Sequence, residues 1–98
     1  MNTFNYQDRA AIYNRAIGTY GAEAQIHMAL EEMAELSKEL CKSFRVGGTT
    51  LEKIADECAD VTIMLEQLRI IFDFNDAVCQ HMDQKIERLR ERLEAAKR

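Results

Sequence analysis

The sequence predicts an all-α chain of four antiparallel helices, and three observations carry that expectation. Its 98 residues include no proline, and the four glycines fall at positions 18, 21, 47 and 48. Between them run long segments of good helix formers (Ala, Leu, Glu, Lys, Gln, Arg and Met). Within those segments apolar residues return every three or four positions, the period of one helical face. The length points to one domain spanning residues 1–98.

The first helix is expected over about Gln7–Ile17, ended by Gly18 and Gly21. The second is expected over about Ala22–Phe44, with a core stripe of Ile26, Ala29, Leu30, Met33, Leu36, Leu40 and Phe44. Arg45–Thr50 is the clearest loop. Thr49, with Glu52 three residues on, has the spacing of a capping box. The third helix then covers about Leu51–Phe72, with Leu51, Ile54, Ala55, Cys58, Val61, Leu65, Leu68 and Phe72 in its stripe. Ile63, Met64, Ile70 and Ile71 lie outside that stripe, so the second half is apolar nearly all round. Such a helix is buried on several sides, and in so small a chain the expected cover is another subunit. A break at Asp73–Asp76 offers Asp73 or Asn75 as a cap. The fourth helix, about Asp76–Ala96, carries Val78, Met82, Ile86, Leu89 and Leu93. Short loops make consecutive helices antiparallel.

Composition narrows the function classes. Apolar residues make up 47% of the chain, more than a thin helical hairpin can hide, so an oligomer is expected. A formal net charge of −4 gives no footprint for a nucleic acid polymer. Free nucleotides stay open, because a metal bridges acidic groups to an anion. No run approaches the length of a membrane span, and no helix pairs an apolar face with a mainly basic one. The first residues contain no apolar leader segment. Cys41, Cys58 and Cys79 show no CxxC spacing and sit among apolar neighbours. They are expected as buried, reduced thiols in a reducing compartment, which places the protein in the cytoplasm.

The chemistry lies in the acids. The second helix contains Glu31-Glu32-Met33-Ala34-Glu35 and the third contains Glu57-Cys58-Ala59-Asp60. Two acids three apart share a helical face and repel each other. Glu32 lies at the shoulder of its core stripe with Glu35 farther round; Gln25, Met28 and Glu39 fall on the same flank. Glu57 borders the core of the third helix, with Asp60 and Met64 just beyond. Antiparallel packing turns the two acid pairs toward one groove. Four carboxylates there need protons or cations, and an oxygen-only ligand set suits Mg²⁺, Mn²⁺ or Ca²⁺. A solvated acidic face is the plain alternative.

These residues resemble the all-α NTP pyrophosphatase superfamily, the MazG-like proteins and their relatives. That family carries E-x-x-E, a spacer, then E-x-x-D. Here Glu32–Glu35 and Glu57–Asp60 are separated by 21 residues. The longer forms E-E-x-x-E-L and E-x-x-D-V match Glu31–Leu36 and Glu57–Val61. The resemblance covers about residues 20 to 93. It implies a homodimeric or homotetrameric helical bundle that hydrolyses a nucleoside triphosphate to the monophosphate and pyrophosphate. It also implies Mg²⁺, with Mn²⁺ as a substitute, held by Glu32, Glu35, Glu57 and Asp60. Glu32 or Glu35 is the expected general base, and sequence does not choose between them. Met82–Arg88 is similar to the family's basic stretch, which makes Lys85 and Arg88 candidates for phosphate contact. Gln25 and Met28, on the acid flank, are candidates for the base, with Tyr20 and Phe4 as possible stacking partners. Two rival readings remain. A di-iron bundle needs Glu-x-x-His pairs, and His27 and His81 do not supply them. A non-catalytic helical dimerisation protein accounts for the apolar third helix but not for the doubled acid pairs.

Overall fold

A computed structural model describes residues 3–97, so both ends of the expected 1–98 domain lie outside the described residues. The chain is all-helical, with α1 at Tyr6–Tyr20, α2 at Ala22–Lys42, α3 at Leu51–Ile71 and α4 at Asn75–Ala96. Helix α1 starts where Asn5 and Asp8 form a reciprocal capping box. It runs through Gly18 to Tyr20, longer than expected. A single glycine inside a helix costs only about 1 kcal/mol, and the neighbouring turns outweigh it. The break comes at Gly21, whose φ of 94° suits glycine.

Helix α2 ends at Lys42, with Ser43 as its cap, two residues before the expected end. The chain then turns tightly, with the Arg45 N–H donating to Lys42 O and the Gly48 N–H to Arg45 O. A Cβ added at Gly48 would overlap the Lys42 backbone carbonyl. The cap of α3 is Thr50, whose side chain accepts from the Lys53 N–H. The expected Thr49 cap is thus displaced by one residue. Thr49 is drawn instead to α2, where its hydroxyl donates to Glu39 Oε1 at 2.5 Å. At α4 neither Asp73 nor Asn75 caps. Phe74 holds the cap position without a side-chain bond. Asn75 is already helical and accepts from Arg69 Nη1 at 3.2 Å, while Asp73 makes the turn at φ 50°.

The α2–α3 hairpin is the centre of the fold. The buried or half-buried residues of α2 include Gln25, Ala29, Glu32, Leu36 and Glu39, a run in steps of four and three. Opposite them lie Glu57, Asp60, Met64, Gln67 and Ile71. The contact face thus combines one edge of each apolar stripe, Ala29 and Leu36 on α2 and the half-buried Ile54, Val61 and Leu68 on α3, with the polar shoulder beside it. Leu30, Met33 and Leu40 of α2 are exposed, as are Leu51 and Leu65 of α3 and, just past the two helix ends, Phe44 and Phe72. Every large apolar side chain of α4 from Met82 onward is also exposed. The three cysteines, expected as buried, are exposed too. Each lies on a part of its helix that the other helices leave uncovered.

Helix α1 is tied to α3 by one polar corner. Glu66 accepts from Arg9 Nε and Nη2 at 3.0 Å each and from the Tyr13 hydroxyl at 2.6 Å. The Arg9 hydrogen bond, followed by that of Tyr13, holds the Glu66 carboxyl below its ordinary range against burial. Burial, then the bond to Glu66, pushes the Tyr13 hydroxyl up to about 12. The corner is thus fully formed above the ordinary carboxylate value of 4.5 and below the ordinary tyrosine value of 10.0. Among the described residues helix α4 packs on α3 alone, near the C-terminal end of α3, where Arg69 Nη2 also donates to Met82 Sδ at 3.7 Å.

The chain is open for its size. It exposes 7912 Å², whereas a compact 11.3 kDa chain exposes roughly 5,700 Å². Its radius of gyration is 16.9 Å against about 13 Å for a compact domain of this length.

Two glycine substitutions test this account with opposite signs. Gly48→Ala should destabilise by about 1–3 kcal/mol, because the backbone oxygen it meets has nowhere to go. Gly18→Ala, in open space on a helix, should stabilise by about 0.5–1 kcal/mol. Urea unfolding followed by circular dichroism reads both.

Candidate metal centre

The groove between α2 and α3 is organised along the hairpin. At the turn end Glu39 is buried, yet both its carboxylate oxygens are partnered. Oε1 accepts from Thr49, and Oε2 accepts from Lys42 Nζ at 3.2 Å. Those bonds, Thr49 first, lower the Glu39 carboxyl, so this acid stays ionised and committed. At the far end Gln25 Nε2 donates to Gln67 Oε1 at 2.8 Å. Antiparallel helices place these two links at opposite ends of the groove.

Between them lie the acids with no such partners. Glu32 comes from the middle of α2, and Glu57 and Asp60 come from one turn of α3. One oxygen from each lies within 4.8 Å of the others, and all three residues are half-buried. Desolvation, then the charges of Asp60 and Glu57, raises the Glu32 carboxyl. Desolvation, then the charges of Asp60 and Asp56, raises Glu57. These acids thus take up protons more readily than free glutamate does. Three converging carboxylates with no cation are electrostatically frustrated. An all-oxygen set of this kind fits a hard divalent cation, and a soft metal would need sulfur or imidazole.

The sequence-predicted residues are placed as follows. Glu32, Glu57 and Asp60 come together as expected. Glu35 is exposed and stands outside the trio, although its charge contributes to the shifts of Glu32 and Glu57. Gln25 lies on the floor of the groove, seven residues before Glu32. Lys85 and Arg88 are exposed on α4, which touches α3 and not α2. One chain therefore does not bring them to the groove.

Lys53 is a second cation at the turn end of the groove, beside Lys42, and sequence reasoning passed it over. It lines a cleft of about 450 Å³ with Glu39, Glu52, Asp56 and Glu57. Its spacing, four residues before Glu57, was the available signal. Gln67 was missed as well, although it continues the Asp60 face by seven residues. No family model, curated protein or solved structure matches this chain.

The raised carboxyls make a signed prediction. A folded-state value above the unfolded one favours folding below the ordinary 4.5 and loses that contribution as pH rises through the raised value. Without divalent cations, Glu32→Gln should gain stability over the parent as pH climbs from 4.5 to neutrality. Thermal melts of the two proteins across that range measure the difference. A gap independent of pH would remove the charge frustration.

Proposed function

We propose that this chain is a divalent-cation-dependent hydrolase of nucleoside triphosphates, releasing the monophosphate and pyrophosphate. The convergence of Glu32, Glu57 and Asp60 carries this reading, with desolvation and then neighbouring charges raising the Glu32 and Glu57 carboxyls. The paired E-x-x-E and E-x-x-D pattern, similar to that of the all-α NTP pyrophosphatases, adds to it.

In this reading Glu32, Glu57 and Asp60 hold Mg²⁺, or Mn²⁺ in its place, with Glu35 at the rim. The ion supplies charge neutralisation at the phosphate oxygens and acidifies water. The protein's own part is positioning and electrostatics. Glu35 is exposed and makes no hydrogen bond among those described, so it is the acid free to accept a proton from attacking water. Glu32, deeper and raised, is the alternative base. Attack at the α-phosphorus breaks the bond to the bridging oxygen, and pyrophosphate departs. Lys53, at the turn end, offers its ammonium to the departing phosphates. Among the described residues no helix is long and apolar enough to cross a membrane, and free nucleotides as substrates fit a cytoplasmic setting.

The reading includes a homo-oligomer. The chain exposes roughly 2,200 Å² more than a compact chain of its mass. Two copies each hiding that excess would bury about 4,400 Å², within the range of obligate dimers. The uncovered stripes of α2, α3 and α4 supply the apolar surface. The same stripes favour a second reading, a non-catalytic helical interaction protein, which leaves the acid trio without a role.

Two measurements follow. With Mg²⁺ and a panel of NTPs and dNTPs, the protein should release pyrophosphate. Glu35→Gln and Asp60→Asn should each lose at least about a hundredfold in turnover while keeping their helical circular dichroism. Turnover unchanged in either variant would defeat the assignment. Sedimentation equilibrium should give a dimer or tetramer, and Leu89→Glu with Leu93→Glu should shift it toward the single chain. A monomeric parent would contradict the oligomer.

A further inference from the structure

Helix α1 is fastened to the hairpin at one point. Its inward face is small: Tyr13 is buried, and Arg9, Ala10, Ala16 and Ile17 are half-buried. Alanines make up much of that face, so apolar burial contributes little. Among the described residues, every side-chain hydrogen bond from α1 to another helix ends on Glu66. Arg9 engages both carboxylate oxygens, and the Tyr13 hydroxyl shares Oε1. Water reaches this pair only in part, with side-chain exposures of 36% for Arg9 and 21% for Glu66. Charge-assisted bonds made at two points are among the strong ones. Arg9 is also held from its own side, where Nη1 donates to Phe4 O at 3.0 Å and the guanidinium lies over the Tyr6 ring.

The other end of α1 is a joint. Gly21 sits at φ 94° and ψ 149°, a conformation that in practice only glycine adopts. A Cβ added there would meet nothing within 4 Å, so the joint is not hemmed in on that side. The Gly21 N–H donates to Ile17 O and completes α1, while Gly21 O accepts from the Gln25 N–H and begins α2. Each bond belongs to a peptide unit on its own side of the Gly21 Cα, so turning φ and ψ there breaks neither helix. Tyr20, the last residue of α1, lines a cavity of about 650 Å³ with Ala24, Gln25, Met28 and Met64. On α3, Ile63 and Ile70 stand one turn to either side of Glu66.

We propose that α1 is a strap, hinged at Gly21 and latched by the Arg9–Tyr13–Glu66 cluster, that detaches from α3 while the α2–α3 hairpin stays folded. Closed, it covers the Glu66 side of α3 and holds Tyr20 at the cavity rim. Open, it bares the face between Ile63 and Ile70 and carries the Tyr20 ring off the rim. The hairpin keeps its own links, Gln25 to Gln67 and Glu39 to Thr49, so it does not depend on the latch. A detached helix of 15 residues is marginal in water. Its amides therefore lose protection when the strap opens, at a lower cost than global unfolding.

Native-state hydrogen exchange of the full chain, read by NMR, tests the strap. The amides of Tyr13, Ala16 and Ile17 should exchange together and ahead of the hairpin amides of α2 and α3. Glu66→Gln keeps the shape of the side chain and removes its charge. It should speed α1 exchange at least about tenfold and leave the hairpin amides unchanged. Arg9→Gln should do the same, and the double variant should add little to either, because both remove one interaction. Gly21→Ala should also speed α1 exchange with the latch residues intact, because alanine is strained at that φ. Exchange of α1 only together with the hairpin, or α1 rates unmoved by both Glu66→Gln and Arg9→Gln, overturns the strap. Unchanged protection of α1 in Gly21→Ala overturns the hinge.

Discussion

The structure depends on a polar seam. Helices α2 and α3 meet through Gln25 and Gln67 at one end, Glu39 and Thr49 at the other, and converging carboxylates between them. Ala29, Leu36, Met64 and Ile71 add apolar contact between these polar groups. The two end links are satisfied hydrogen bonds that set the register of the hairpin. The middle is unfavourable without a counter-charge, because desolvation and like charges act together on Glu32 and Glu57. Stability given up at that point is the usual mark of a functional arrangement.

The hairpin consequently has two unlike sides. One carries the acids, Lys53 and the cavity beside Gln25. The other carries Leu30, Met33, Leu40, Leu65 and Phe72, uncovered. Helix α4 extends the uncovered surface and adds little to the core of its own chain. The Arg9–Glu66–Tyr13 corner fixes α1 against α3 and so positions Tyr20 at the edge of the cavity.

Much of this was legible in the sequence. Periodicity and the glycine positions located four helices, and the acid spacing brought Glu32, Glu57 and Asp60 to one groove. What periodicity could not decide was which part of an amphipathic face turns inward. In α2 the apolar stripe and the polar shoulder lie less than a quarter-turn apart. The choice between them depends on α3, whose matching groups Gln67 and Asp60 sit on its own shoulder. The same ambiguity placed Cys41 and Cys58 inside when they are exposed. Thr49 and Thr50 are both fair caps by type, and only the proximity of Glu39 settles which one caps. Lys85 and Arg88 depended on a fourth helix folding back over the groove, which α4 does not do within one chain.

The central claim is that the acid trio binds a divalent cation. Electron paramagnetic resonance of Mn²⁺ added to the protein tests it without any substrate. The account predicts Mn²⁺ held at one or more sites per chain, competed by Mg²⁺, and lost in Asp60→Asn with the fold intact. Mn²⁺ that stays free in the parent protein, or binds equally well to Asp60→Asn, would contradict it.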